Sequence, residues 1–174
     1  KPSNILLRQE GALKICDLGL AALIAEQEAL TLGSARYMAP ELFRGEQADG
    51  RADIYSVGFM VYEMLCGRTQ FDKTFKTIVR DQRNQAMRWM KWHTNMRLTA
   101  PPLKQQNPHV PMRLSDLVGR MIEKDPAKRV GSAIELEQAI ERHFGRQQQA
   151  TAGSAAAAPT ANDEPAPETS APGD

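Results

Sequence analysis

Three polar side chains bracket a pair of short apolar runs at one end of this sequence. Lys1 and Asn4 come just before Ile5, Leu6 and Leu7, and Asp17 follows the second run, residues 13–16. Between the runs lies a polar turn containing Gly11, the pattern of a β-hairpin. Closing that hairpin brings an ammonium, an amide and a carboxylate together at one mouth. Amide and carboxylate oxygens are hard donors of the kind Mg²⁺ takes, and an ammonium complements phosphate. The set therefore suits a metal-bound polyphosphate.

Further motifs follow in a fixed order. KPSN at 1–4 and DLG at 17–19 are succeeded by GSARYMAPE at 33–41, DIYSVGFMVYEMLCG at 53–67 and DPAKRV at 125–130. Together they resemble the second half of the protein-kinase signature, in which a catalytic loop H-R-D-L-K-P-x-N precedes a D-F-G segment. The chain opens at the Lys of that loop, and Leu18 stands where the family has Phe. No G-x-G-x-x-G, V-A-I-K-type lysine or H-R-D occurs in its 174 residues. The resemblance thus implies a mainly α fold, a protein-kinase-like large (C-terminal) lobe with a small β-hairpin and no N-terminal lobe. Residues 1–146 would be this partial kinase domain and 147–174 a disordered tail.

For the intact parent, the resemblance implies transfer of the ATP γ-phosphate to protein Ser or Thr hydroxyls, with ATP and Mg²⁺ as cofactors. Lys1 would reach the transferred phosphate, and Asn4 and Asp17 would hold the metal. The KPSN spelling favours Ser/Thr over Tyr substrates. Ser34 takes a substrate-positioning role, and Tyr37 and Met38 form the floor under the residue after the phosphoacceptor. Thr31 is either a regulatory phosphosite or an unmodified loop threonine. Glu41 is expected to pair with Arg129, and Asp53 to cap the central helix and accept backbone N–H groups of the catalytic loop; these three are structural. The implied partners are protein substrates and the missing N-terminal lobe of the same kinase. The fragment alone is expected to be inactive and to expose apolar surface where that lobe would sit. The competing reading is a pseudokinase or scaffold lobe that serves as a protein-binding module.

The elements that must position these residues can be read from periodicity. Residues 53–67 are apolar on nearly every side, which predicts a buried central helix stopped by Gly67. Residues 77–93 read as an amphipathic helix that buries Trp89 and Trp92. A shorter helix is expected over 115–124, and a Ser132/Glu135 capping box opens a last one, with Leu136, Ile140 and Phe144 inward.

Composition sets outer bounds. A 41% hydrophobic content supports one domain with a core, and a net charge of +1 gives no reason to expect nucleic acid or an anionic membrane as partner. Cys16 and Cys66 form no metal or disulfide pattern, which favours a reducing compartment. No run is long enough for a membrane span, so the domain is expected to be cytoplasmic, although its parent could be membrane-anchored. After residue 146 the composition turns to Gln, Ala, Pro, Ser and Thr, too polar to offset the entropy of ordering.

Overall fold

An apolar segment many turns long is stable in water only if other elements cover it. In the computed structural model, which describes residues 1–16 and 33–142, the apolar segment supplies the longest helix. Strands β1 (Ile5–Leu7) and β2 (Leu13–Ile15) come first, and then helices α1 (Pro40–Phe43), α2 (Gly50–Cys66), α3 (Arg68–Thr74) and α4 (Lys76–Val79). Helices α5 (Gln85–Thr94), α6 (Leu103–Gln106), α7 (Met112–Met121) and α8 (Ala133–Ile140) complete the order. Residues 1–139 form one compact unit. Among the described residues no helix is long and apolar enough to cross a membrane.

The hairpin is antiparallel, with Ile5 opposite Ile15, Leu6 opposite Lys14 and Leu7 opposite Leu13. Gly11 permits its turn by adopting φ 82°, which a residue bearing a Cβ rarely does. All six strand residues are exposed.

Helix α2 begins at Gly50, three residues before the expected start. Its cap is Asp49, whose side chain accepts the Arg51 N–H at 2.9 Å. Asp53 instead lies exposed in the first turn and accepts no hydrogen bond from the described residues. The helix ends where expected, at Gly67 with φ 78°. Asn107 donates its side-chain amide to the Leu65 carbonyl at 2.7 Å, satisfying one of the helix-end acceptors. Burial is less complete than the sequence implied, because Met64 is 77% exposed and Val57 is also open. No described element packs over that side.

The core is built on Phe59 of α2. Around it stand Tyr62, Phe71, Phe75, Trp89, Trp92 and His93, with ring centroids 5.0–6.2 Å from the Phe59 ring. The tryptophans thus serve the core, as amphipathic spacing indicates. The expected 77–93 helix is broken into α4 and α5, because the Asp81 carboxylate accepts from the Asn84 backbone at 3.2 Å and from Arg88 at 2.7 Å. Such local side-chain bonding competes with helical continuation. Helix α7 starts at Met112, earlier than expected, directly after Pro111 at its cap position. In α8 the Ser132 hydroxyl accepts the Glu135 N–H at 3.1 Å, while Glu135 returns to the N–H of Gly131 at 2.8 Å. Ile140 is exposed rather than inward, and Phe144 lies outside the described residues.

Glu41 and Arg129 lie 88 residues apart and meet in a buried bidentate pair, at 2.7 and 3.1 Å. Arg129 also donates to the carbonyls of Arg51 and Glu123. The cation lies 4.9 Å from the Tyr55 ring centroid. Replacing Glu41 with Ala would leave this guanidinium buried without its counter-charge, and the expected loss in denaturant unfolding is about 3–5 kcal/mol. Gly58→Ala tests the α2–α7 contact separately. The new Cβ would stand 2.6 Å from Met121 Cβ and 3.3 Å from its carbonyl carbon, for an expected loss of about 1–3 kcal/mol by overpacking.

Candidate functional site

The mouth of the hairpin is closed by backbone hydrogen bonds. Cys16 N–H donates to the Asn4 carbonyl at 2.8 Å, and Asn4 N–H donates to the Lys1 carbonyl at 2.9 Å across a single 3₁₀ turn, Pro2–Asn4. Asn4 is therefore fixed beside the residue that precedes Asp17 in the chain. Among the described residues its side-chain oxygen accepts one long bond, 3.4 Å, from the Ser3 hydroxyl, and the residue is half-buried. A neutral oxygen so lightly engaged fits a hard cation. Asp17 and Thr31 lie outside the described residues.

A second group of residues surrounds Ser34. The turn over residues 33–37 begins at Gly33 with φ 114°, and the Tyr37 N–H closes it on the Ser34 carbonyl at 3.1 Å. Both neighbouring side chains converge on Glu63 of α2. Arg36 Nη1 donates to Oε1 at 2.7 Å, and the Tyr37 hydroxyl donates to Oε2 at 2.6 Å. Burial, and then the Glu63 carboxylate, push the Tyr37 hydroxyl up to about 12, so it remains a donor at neutral pH. Tyr37 is buried and Met38 half-buried.

The backbone of the same turn is held by His93 of α5. Its Nε2 lies 3.0 Å from the Arg36 carbonyl, and its Nδ1 lies 2.7 Å from the Tyr55 hydroxyl. A carbonyl can only accept, which assigns the ring hydrogen to Nε2 and leaves Nδ1 to accept from Tyr55. The ring is fully buried, and burial lowers its pKa to about 3. It is thus a neutral, single-tautomer strut.

Lys1 and Asn4 thus share one turn, Ser34 lies in the turn held by Glu63 and His93, and Glu41 meets Arg129. Sequence reasoning did not single out Arg36, Tyr55, Glu63 or His93. Glu63 carried a usable signal, as the one acid within the apolar run 54–66. Nothing local marked His93, whose partners are 38 and 57 residues away.

Comparison with known proteins agrees with this arrangement. A family model described as protein kinase domain matches residues 1–144, and the chain belongs to that family. A probable serine/threonine-protein kinase of Clostridium perfringens is 34% identical over 143 residues, covering 78% of this chain and 19% of the relative. The serine/threonine-protein kinase PrkC of Bacillus subtilis is 30% identical over 148 residues, covering 83% and 21%. The serine/threonine-protein kinase PknL of Mycobacterium tuberculosis is 33% identical over 140 residues, covering 78% and 32%. The chain spans between about a fifth and a third of the length of these curated relatives. The mainly helical fold with its single two-stranded sheet among the described residues is that of part of a kinase large lobe.

His93 generates a pH prediction. Its pKa in the folded chain, about 3, lies below the ordinary histidine value, so the unfolded chain binds the extra proton first. The stability it contributes is complete above about pH 6.5 and is lost as the pH falls towards about 3. Unfolding free energies measured across that window should fall less steeply for His93→Gln than for the unaltered chain.

Proposed function

We propose that the protein containing this chain transfers the γ-phosphate of ATP to serine or threonine hydroxyls of other proteins, and that this chain supplies part of the large lobe. The observation that carries the reading is the closed hairpin mouth, where the Cys16–Asn4 hydrogen bond holds a lightly engaged amide oxygen beside the chain position leading into Asp17.

In this reading Asn4 offers the neutral ligand and Asp17 the charged one to Mg²⁺. When bound, that ion neutralises charge on the β- and γ-phosphates. The Lys1 ammonium lies against the transferred phosphoryl group, and Ser34 orients the acceptor. The acceptor oxygen forms the new P–O bond as the bond to ADP breaks. Its proton goes to a base supplied from outside these residues, the role the family gives to the H-R-D aspartate. Most of the rate comes from positioning and charge neutralisation.

The remaining assignments follow from the same reading. Residues 1–146 form the partial kinase domain, and Thr31 is a phosphosite on the substrate-facing segment. The N-terminal lobe of the same kinase covers the exposed apolar side chains of the hairpin. The domain works on the cytoplasmic side, where ATP is available.

The test is steady-state phosphate transfer to a Ser/Thr protein substrate by the kinase that contains this chain. Asp17→Ala is expected to reduce transfer at least about a hundredfold. Transfer by the altered kinase at the unaltered rate, or a robust rate from the 174-residue chain alone that Asp17→Ala abolishes, would overturn this assignment of parts.

A further inference from the structure

Lys124 is a buried cation that the proposed mechanism leaves unused. It lies in the loop after α7, and its ammonium donates to the carbonyls of Trp92 and Asn95, the latter at 3.0 Å. Its remaining contact is the ring of Trp92, whose centroid lies 3.8 Å from Nζ. All three contacts fall on one feature, the C-terminal end of α5, where open carbonyls and the helix dipole favour a positive charge. Among the described residues no carboxylate pairs with it. Burying an ammonium without a counter-charge is unfavourable, and an apolar side chain would fill the same space without that penalty.

What the clamp brackets gives the buried charge a reason. Between Trp92 and Asn95 stands His93, whose Nε2 holds the Arg36 carbonyl in the turn that carries Ser34. The same loop sends Arg129 to Glu41, just past the point where the chain leaves that turn. One loop therefore grips both the helix that anchors the turn and the segment that continues it. We infer that Lys124 is a positioning residue for phosphate transfer, clamping the end of α5 so that His93 holds the Ser34 turn in place for the acceptor. This rests on the transfer reading above and deepens it by adding a residue remote from the reacting atoms.

The clamp has a pH limit. Burial lowers the Lys124 pKa to about 8, below the ordinary lysine value, so its charge is present at neutral pH and lost just above it. The other ionisable groups around it are His93 on α5, Tyr62 on α2, Asp116 and Arg120 on α7, and Glu123, Asp125 and Lys128 in its own loop. His93 is already neutral in that range, and burial holds the Tyr62 hydroxyl above its usual value. A neutral amine donates more weakly to carbonyls and loses its attraction to the ring and the dipole. The turn should therefore loosen as the pH rises through about 8.

The experiment measures, on the kinase that contains this chain, kcat/KM for a synthetic serine peptide and KM for ATP. Lys124→Met should lower the peptide kcat/KM at least about tenfold while changing KM for ATP less than about twofold, because the clamp acts on the acceptor turn. Lys124→Arg keeps a cation at every pH, so it should recover most of that loss and remove the fall in activity that the unaltered kinase shows above about pH 8. A rise in KM for ATP as large as the peptide loss, or an alkaline fall that Lys124→Arg leaves unchanged, would overturn the inference while leaving the transfer reading intact. Absence of transfer by the unaltered kinase would count against the transfer reading instead. Proton–nitrogen correlation spectra of this chain then decide the inference separately. The Arg36 and Tyr37 amide signals should move with a midpoint near about pH 8 in the unaltered chain and stay still in Lys124→Arg. Signals that stay still in the unaltered chain would overturn it.

Discussion

The buried pair of Glu41 and Arg129 constrains more of the lobe than any other single contact. Removing two full charges from water costs several kcal/mol per ion, and only a saturated set of partners offsets that cost. Arg129 has such a set, since Nη1 and Nη2 reach the Glu41 carboxylate, Nη1 also reaches the Arg51 carbonyl and Nε the Glu123 carbonyl. Together these bonds fix three elements: the short α1, the first turn of α2, and the loop after α7. A hydrophobic substitute could match the stability, but it would not dictate one mutual register for three segments. The geometry that follows Ser34 in the chain is therefore set by a residue near the other end of the compact unit.

A second constraint acts from above. The turn over residues 33–37 has no regular secondary structure to hold it, so its shape depends on partners from elsewhere. His93 supplies the backbone anchor and Glu63 the side-chain anchor, from α5 and α2 respectively. Both anchors belong to, or adjoin, the aromatic cluster around Phe59. Packing in the core thus becomes positioning at the surface, because α2 and α5 cannot shift against each other without moving both anchors. The buried neutral histidine suits this role better than a charged group would, as it needs only one donor and one acceptor to be satisfied.

What could be read from the sequence was what local chemistry decides. The hairpin followed from two apolar runs around Gly11, the end of α2 from Gly67, and the start of α8 from Ser132. The ordered motifs also carried the family and the pairing partners Glu41 and Arg129. The failures share a cause. Asp49 rather than Asp53 caps α2, Asp81 interrupts the helix expected over 77–93, and His93 and Glu63 hold the turn. In each case a polar side chain chose among partners, and the choice depended on which ones the fold brought near. Periodicity shows that a segment is apolar, but it does not show which side stays uncovered, so the exposed Val57 and Met64 were also illegible.

The exposure of the hairpin bears on the chemistry. A two-stranded hairpin with every strand residue exposed is marginal in water by itself, because neither face is buried. Yet this hairpin carries Asn4 at one strand's start and leads into Asp17 at the other's end. The least self-supporting element therefore bears the proposed metal ligands, whereas the best-supported elements, α2 and α5, hold the turn that carries Ser34. If covering the hairpin is what fixes the mouth, the proposed metal binding and lobe assembly are thermodynamically linked, and each strengthens the other. The turn that carries Ser34, by contrast, is held by contacts already made within residues 33–129. The two halves of the proposed reaction thus differ in what they require: one depends on a preformed surface, the other on completing the fold around it.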